Sequence, residues 1–171
     1  MRLHEHVPAD DPFFGGVTIR LDHTAGELFV EGDGIPSVVV RRAAGTPLES
    51  KVPIGTRDPD RLTMTIGDSA VPLLPAKGFL TRHSYRVDAG SEDARYRLVP
   101  VSLGSSRLSL GDTPVGDLTS SGDGKVSADW AEHRPLTPYE AALGYTLAAA
   151  FGTGAEPMWQ LALDAGLEAL N

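Results

Sequence analysis

Residues 137–151 read TPYEAALGYTLAAAF, and this stretch decides the fold. Thr137 and Glu140 have the spacing of a capping box, in which the two side chains accept hydrogen bonds from backbone N–H groups at the start of a helix. Pro138 follows the threonine, at a helical position where its missing N–H is not needed. The sequence therefore predicts a helix over residues 137–151, with Thr137 as its N-cap.

The body of this predicted helix, residues 141–151, contains no charged residue, and only Tyr145 and Thr146 carry polar side-chain atoms. A helix on the surface of a domain shows a polar stripe with a period of 3.6 residues. Since this stretch has no such stripe, we expect a core helix that is buried on nearly all sides. Its small residues, such as Gly144 and Ala148, would allow neighbouring backbone to approach closely.

The chain before the helix has the pattern of a β region over residues 17–130. Apolar and polar residues alternate, as in residues 62–66 (LTMTI), and turn residues interrupt this alternation about every ten residues. Period-two alternation predicts antiparallel strands with one buried face. We therefore expect a mainly β fold with a C-terminal α region, in which an antiparallel barrel or closed sandwich of about 10–12 strands surrounds the apolar helix.

The 171 residues are predicted to form a single domain. Residues 1–16 are predicted to be an irregular N-terminal arm, because proline and glycine punctuate them. Residues 155–170 are predicted to be a second, amphipathic helix. The longest strand candidate covers residues 79–87 and would place His83 on the apolar face, where a core histidine is a better interpretation than a catalytic base.

The composition restricts the cellular compartment in which the protein is expected and the partners that it could bind. The chain has no cysteine, which excludes disulfides and thiolate metal sites. Its net charge of −8 opposes non-specific binding to nucleic acid or to an anionic membrane, although a local basic patch remains compatible with it. No apolar run reaches the roughly 20 residues of a transmembrane helix, and the first residues lack the apolar core of a signal peptide. We expect a cytoplasmic protein without a transmembrane segment, and the excess of arginine over lysine is typical of a GC-rich, bacterial genome.

Residues 94–118 (ARYRLVPVSLGSSRLSLGDTPVGDL) and 125–151 resemble the tubby C-terminal-like superfamily, which includes LURP-one-related proteins and phospholipid scramblases. The first stretch is similar to the strand–turn–strand unit that recurs in that family, with its turn at residues 111–116 (GDTPVG). The second is similar to the last strand and the core helix. The resemblance implies a closed barrel of about twelve strands around one hydrophobic helix and a function that is mostly not enzymatic. A further helix at residues 155–170 departs from the family pattern.

Arginine side chains give the main candidate site. If the strand that carries Arg82 and Arg86 pairs with the strand that carries Arg95 and Arg97, four guanidiniums cluster on the exposed face and could bind a phosphate group. The alternative, which we favour, is that these arginines pair with nearby carboxylates in a protein that has an excess of acidic residues. The complete set of anion-binding candidates is Arg82, Arg86, Arg95, Arg97, Arg41 and Arg42.

Other chemistry has little support in the sequence. His4 and His6 have the spacing of two metal ligands on an extended segment, but a polar N-terminus is the simpler interpretation. No catalytic motif and no cofactor motif is present. The leading hypothesis is therefore a non-enzymatic module that binds an anionic phospholipid headgroup or a protein partner.

Two alternatives remain open. One is a β-barrel carrier or enzyme for a small apolar molecule, with a pocket reached by His83, Tyr85 or Tyr96. The other is a structural or accessory subunit that docks onto a partner through Trp159, Leu163 and Leu167. The sequence leaves the oligomeric state undetermined.

Overall fold

A computed structural model describes residues 3–120 and 124–152 of the chain. Within these residues the fold is mainly β, as predicted, with two antiparallel six-stranded sheets and one helix on the C-terminal side. The first sheet contains β1 (Leu3–Asp11), β2 (Gly15–Asp22), β3 (Glu27–Gly32), β4 (Ile35–Arg42), β5 (Leu62–Ile66) and β6 (Ser69–Ala70). The second contains β7 (Leu73–Pro75), β8 (Val87–Gly90), β9 (Arg95–Pro100), β10 (Ser105–Leu110), β11 (Thr113–Ser120) and β12 (Val126–Trp130).

Both sheets are meanders in which neighbours in sequence are neighbours in space. The alternation in the sequence sets which side chains face the core: in β5 Leu62, Met64 and Ile66 are buried, whereas Thr63 is exposed. Val71 and Pro72 separate β6 from β7, and at this point the chain passes from the first sheet to the second. A proline here is expected, because it cannot donate to a central strand ladder.

The helix α1 (Pro138–Phe151) begins where the sequence predicts. The capping box is complete: Glu140 N–H donates to Thr137 Oγ1 at 3.1 Å, and Thr137 N–H donates to Glu140 Oε1 at 3.1 Å. Every residue from Glu140 to Phe151 is buried. The helix contacts β2, β3, β4 and β5 of the first sheet and β9, β11 and β12 of the second.

The two sheets contact each other in two places: the edge strand β1 contacts the edge strand β12, and β5, which lies next to the short edge strand β6, contacts β7. Near the C-terminal end of α1, Ile54 N–H donates to the carbonyl of Ala150 at 3.0 Å. Ile54 belongs to the β4–β5 connection, residues 43–61. We call this end of the fold, where α1 ends, the lower end.

Two predictions about local structure are wrong. An irregular arm was predicted for residues 1–16, but residues 3–11 form β1 and pair with β2. Asp11 Oδ1 accepts the N–H groups of Phe13 and Phe14 at 2.9 and 3.0 Å and so closes the β1–β2 turn. Pro8 is tolerated in β1 because that strand is an edge of its sheet.

Residues 79–87 are not a long strand. Residues 76–86 connect β7 to β8 and contain a short 3-10 helix, His83–Tyr85, so we call them the basic loop for their Lys77, Arg82 and Arg86. The Ser84 hydroxyl binds the backbone of Phe79 and Thr81, and such local side-chain bonds compete with a strand ladder. The second helix predicted over residues 155–170 lies outside the described residues.

Candidate functional site

The pairing of β8 with β9 brings arginines together on the outer face of the second sheet. In this register Arg97 lies opposite Asp88, and Arg95 lies opposite Gly90. The Arg97 guanidinium binds the Asp88 carboxylate in two places, with Nε–Oδ1 at 2.7 Å and Nη2–Oδ2 at 2.9 Å. Such a bidentate pair fixes the orientation of both side chains.

Asp88 lies among three guanidiniums. The hydrogen bond from Arg97 lowers the pKa of Asp88 below its usual value against the opposing effect of burial, and the charges of Arg97, Arg86 and Arg95 lower this pKa further. We call Arg86, Arg95, Arg97 and Asp88 the arginine cluster. Its three cations and one anion leave a local surplus of positive charge.

The fourth predicted member, Arg82, lies outside the strands. It precedes the 3-10 helix of the basic loop and is exposed. Arg86 follows the same 3-10 helix and donates from Nη1 to the His83 carbonyl at 3.2 Å. Of the four arginines that the alternation pattern grouped, Arg95 and Arg97 therefore lie on β9, Arg86 directly precedes β8, and Arg82 lies in the basic loop.

The other two candidates make internal contacts. Arg42 donates to three backbone carbonyls, those of His23 at 2.8 Å, Ile54 at 2.7 Å and Thr24 at 2.8 Å. These bonds attach the β2–β3 turn to the β4–β5 connection. Arg41 lies 3.7 Å from Glu27 and stacks over the ring of Phe29 at 5.6 Å.

A buried arginine holds the base of the basic loop. Arg57 donates from Nη1 to the carbonyls of Ala76 at 3.0 Å and Tyr85 at 3.3 Å. Its guanidinium lies 5.3 Å from the Tyr85 ring centre and 5.4 Å from that of Phe151 at the end of α1. Burial lowers the pKa of Arg57 to about 10, with Tyr85 and Glu49 acting in the opposite direction, so the side chain remains charged at neutral pH. Sequence reasoning missed this residue, because nothing in the local pattern at Arg57 indicates burial.

A buried carboxylate joins the two sheets to the helix. Asp11 Oδ2 accepts hydrogen bonds from Trp130 Nε1 at 2.7 Å and from the Tyr145 hydroxyl at 2.6 Å. Burial raises the pKa of Asp11, but the hydrogen bonds from Tyr145, Trp130 and two backbone N–H groups outweigh it and lower the pKa overall. No sequence signal identifies this network, since Asp11 lies 119 and 134 residues from these two side-chain partners.

The residues proposed to reach an interior pocket have other surroundings. His83 is exposed, so its interpretation as a core histidine is wrong. The Tyr96 hydroxyl donates to Glu140 Oε2 at 3.0 Å, and burial together with the Glu140 charge raises the pKa of Tyr96. Glu140 also pairs with Arg134 at 2.9 Å. These contacts give Tyr96 a structural role at the start of α1.

The outer face of β10–β12 carries an open depression of about 430 Å³. Its lining includes Arg107, Asp117, Asp129 and Glu132, and Asp117 binds Arg107 bidentately at 2.8 and 3.1 Å. The remaining carboxylates make this depression acidic and unsuited to an anion. His4 lies on β1 opposite Leu21, and no group of three metal-ligating side chains occurs in the part of the chain that the structure describes.

Comparisons with known proteins return no relative: no family model matches the chain, and neither a curated protein nor a solved structure matches it. The described residues include no helix that is long and apolar enough to cross a membrane.

Proposed function

We propose that this chain is a non-enzymatic binding module that recognises anionic phospholipid headgroups through the arginine cluster. The observation that carries the proposal is the excess of cations near Asp88, which binds Arg97 in two places while the charges of Arg86 and Arg95 also act on it. Guanidiniums suit phosphate because their planar N–H groups can bind two oxygens at once. Asp88 holds Arg97 in place, while Arg95 is exposed on the same face.

The proposal includes an architecture of the tubby-like kind, in which the two sheets close around α1 as one barrel. The contacts of β1 with β12 and of β5 with β7 support this arrangement, as do the contacts of α1 with both sheets. A helix in the interior leaves the outer surface for binding. For this reason a carrier of small apolar molecules is a weaker alternative.

A charge-reversal experiment with a matched control tests the lipid proposal. The variant Arg86→Glu/Arg95→Glu and the control Arg20→Glu/Arg41→Glu change the net charge equally, but the control arginines lie on the first sheet beside Glu31 and Glu27. Binding is measured by co-sedimentation with phosphatidylcholine vesicles that contain phosphatidylserine, at low and at physiological salt.

We expect the wild type to bind the anionic vesicles at low salt and to bind less as salt rises. Each basic residue near such a surface contributes about 1 kcal/mol, so reversing two of them should weaken binding more than tenfold. The control should bind within a few-fold of the wild type. A wild type that stays in the supernatant at low salt, or equal losses in the variant and the control, would overturn the proposal.

A further inference from the structure

The basic loop presents an aromatic side chain to solvent. Phe79 is 64% exposed, although it belongs to a residue type that is usually buried. A single exposed apolar side chain is common on protein surfaces and is not by itself a binding site. Whether Phe79 belongs to a binding site depends on how rigidly the loop holds this side chain and on which residues surround it.

Several hydrogen bonds fix the tip of the loop. Ser84 Oγ accepts the Phe79 N–H at 2.7 Å and donates within the turn to the carbonyls of Phe79 and Thr81. The Ser84 N–H in turn donates to Thr81 Oγ1 at 3.2 Å. The base of the loop is held by Arg57 through the carbonyls of Ala76 and Tyr85. Phe79 is therefore presented by an ordered turn.

The backbone of this turn is strained at one residue. Leu80 has a φ of +33°, and it is the one residue other than glycine with a positive φ among the described parts of the chain. A branched side chain disfavours this region, and strain of this kind occurs preferentially at functional sites. The strained residue directly follows the exposed phenylalanine.

Positive charge surrounds the aromatic tip. Residues 69–87 contain no aspartate or glutamate, although acidic residues outnumber basic ones by 23 to 15 in the whole chain. Lys77, Arg82 and Arg86 flank the tip within this stretch, and Arg86 is also a member of the arginine cluster. The loop that carries the tip therefore leads directly into β8, the strand on which Asp88 lies.

Other exposed apolar side chains lie at the same end of the fold. Leu103 is 52% exposed in the β9–β10 turn, which is at the same end of the second sheet as the basic loop because β8 and β9 are antiparallel. Leu48 is 51% exposed in the β4–β5 connection, which Arg57 joins to the basic loop. An exposed apolar side chain flanked by cationic residues has the composition of segments that enter the interface of anionic membranes.

We propose that the lower end of the fold docks onto an anionic bilayer and inserts Phe79 into its interface. This inference rests on the proposed headgroup binding and specifies the source of the headgroup as a membrane surface. The aromatic ring supplies apolar contact at the headgroup level, and Lys77, Arg82 and Arg86 supply attraction to the anionic lipids. Arg57 and Ser84 keep the tip ordered before it meets the membrane.

Single-cysteine labelling tests the insertion, since the chain has no native cysteine. Phe79→Cys is labelled with an environment-sensitive fluorophore. Phe13→Cys is the matched control, because Phe13 is 68% exposed in the β1–β2 turn. Antiparallel pairing from β1 to β4 places that turn at the opposite end from the β4–β5 connection. Each protein is mixed with phosphatidylcholine vesicles with and without phosphatidylserine, and with inorganic phosphate alone.

We expect a blue shift and protection from an aqueous quencher at position 79 with anionic vesicles, and neither effect at position 13. Inorganic phosphate alone should change neither probe. In the unlabelled protein, Phe79→Ser should weaken binding to anionic vesicles about tenfold, because the substitution removes the apolar contact between the ring and the membrane interface. The variant's thermal unfolding should match that of the wild type, since the side chain is exposed.

The outcomes separate this inference from the proposed function. Wild-type protein that binds anionic vesicles with no change at position 79, or with equal affinity in Phe79→Ser, would overturn the insertion and leave headgroup binding intact. An equal shift with uncharged vesicles would overturn the role of the cationic surround. A shift that depends on protein concentration without vesicles would assign the tip to self-association and also overturn the inference. Absence of vesicle binding altogether would remove the proposed function itself.

Discussion

The arginines on the outer faces of the two sheets differ in how carboxylates balance their charge. On the first sheet each of two cations has its own carboxylate, with Arg20 2.9 Å from Glu31 and Arg41 3.7 Å from Glu27. On the second sheet Asp88 binds Arg97, and the charges of Arg86 and Arg95 also act on this one carboxylate. Strand register therefore decides where positive charge remains, and a chain with a net charge of −8 can still present a cationic surface.

Asp11 joins the two sheets to each other through hydrogen bonds. It lies on β1 of the first sheet and binds Trp130 of the second and Tyr145 of α1. Asp11→Ala would leave two buried donors without an acceptor and should lower the free energy of unfolding by about 3–5 kcal/mol. Chemical denaturation measures this value.

The neighbouring Asp10 is exposed and gives the control. Asp10→Ala should change the free energy of unfolding by less than about 0.5 kcal/mol. If both variants unfold at the same denaturant concentration as the wild type, the buried carboxylate does not hold the sheets together.

The next largest effect concerns the packing of α1 against the second sheet. A Cβ atom at Gly144 would lie 2.9 Å from Trp130 and 3.4 Å from Leu108 and Leu118. Gly144→Leu should therefore overpack the interior and destabilise the fold by about 1–3 kcal/mol or more. The midpoint of urea denaturation reports the change.

Gly16→Leu on the first sheet is the matched control, because a Cβ atom there would meet no other described atom within 4 Å. We expect its free energy of unfolding to change by no more than about 0.5 kcal/mol. Equal effects of the two substitutions would mean that α1 does not pack tightly against the second sheet.

A smaller effect is the pH dependence of the free energy of unfolding that results from Asp88. The hydrogen bond from Arg97 lowers the pKa of Asp88 in the folded state. A lowered pKa means that the carboxylate stabilises the fold fully above its unfolded value, near 4, and that this contribution is lost as pH falls through the lower folded value. The free energy of unfolding should therefore fall more steeply below about pH 4 in the wild type than in Asp88→Asn. Parallel curves from denaturation at stepped pH values would contradict this role.

The smallest expected effects are the coupling energies of one ion pair from each sheet. Arg20 and Glu31 have side chains that are 43% and 53% exposed, and a double-mutant cycle should give a coupling of about 0.2–1 kcal/mol. Arg97 and Asp88 are 41% and 13% exposed and bind bidentately, so their coupling should be larger, about 1–2 kcal/mol. A first-sheet coupling equal to or above that of the second would reverse the comparison.

Local patterns predicted much of this architecture. The capping box, the start of α1 and the strand β5 are found where the alternation and the turn residues place them. The predicted partner of the strand that carries Arg95 and Arg97 was a strand over residues 79–87, whereas the structure pairs this strand with β8 (Val87–Gly90). The pattern failed at residues 79–87, because the Ser84 hydroxyl and the glycine before Phe79 favour a turn that period-two alternation does not reveal.

The sequence by itself determined the helix, its first residue and the β character of the chain before it. These features depend on residues within about four positions of one another, and such signals are written locally in the chain. Only the tertiary structure decided that Asp11 joins both sheets to α1, that Arg57 supports the basic loop and that Arg97 binds Asp88. Those contacts depend on strand register and on packing between segments that are distant in the sequence. Burial then requires each charged side chain to find hydrogen-bonding or ionic partners.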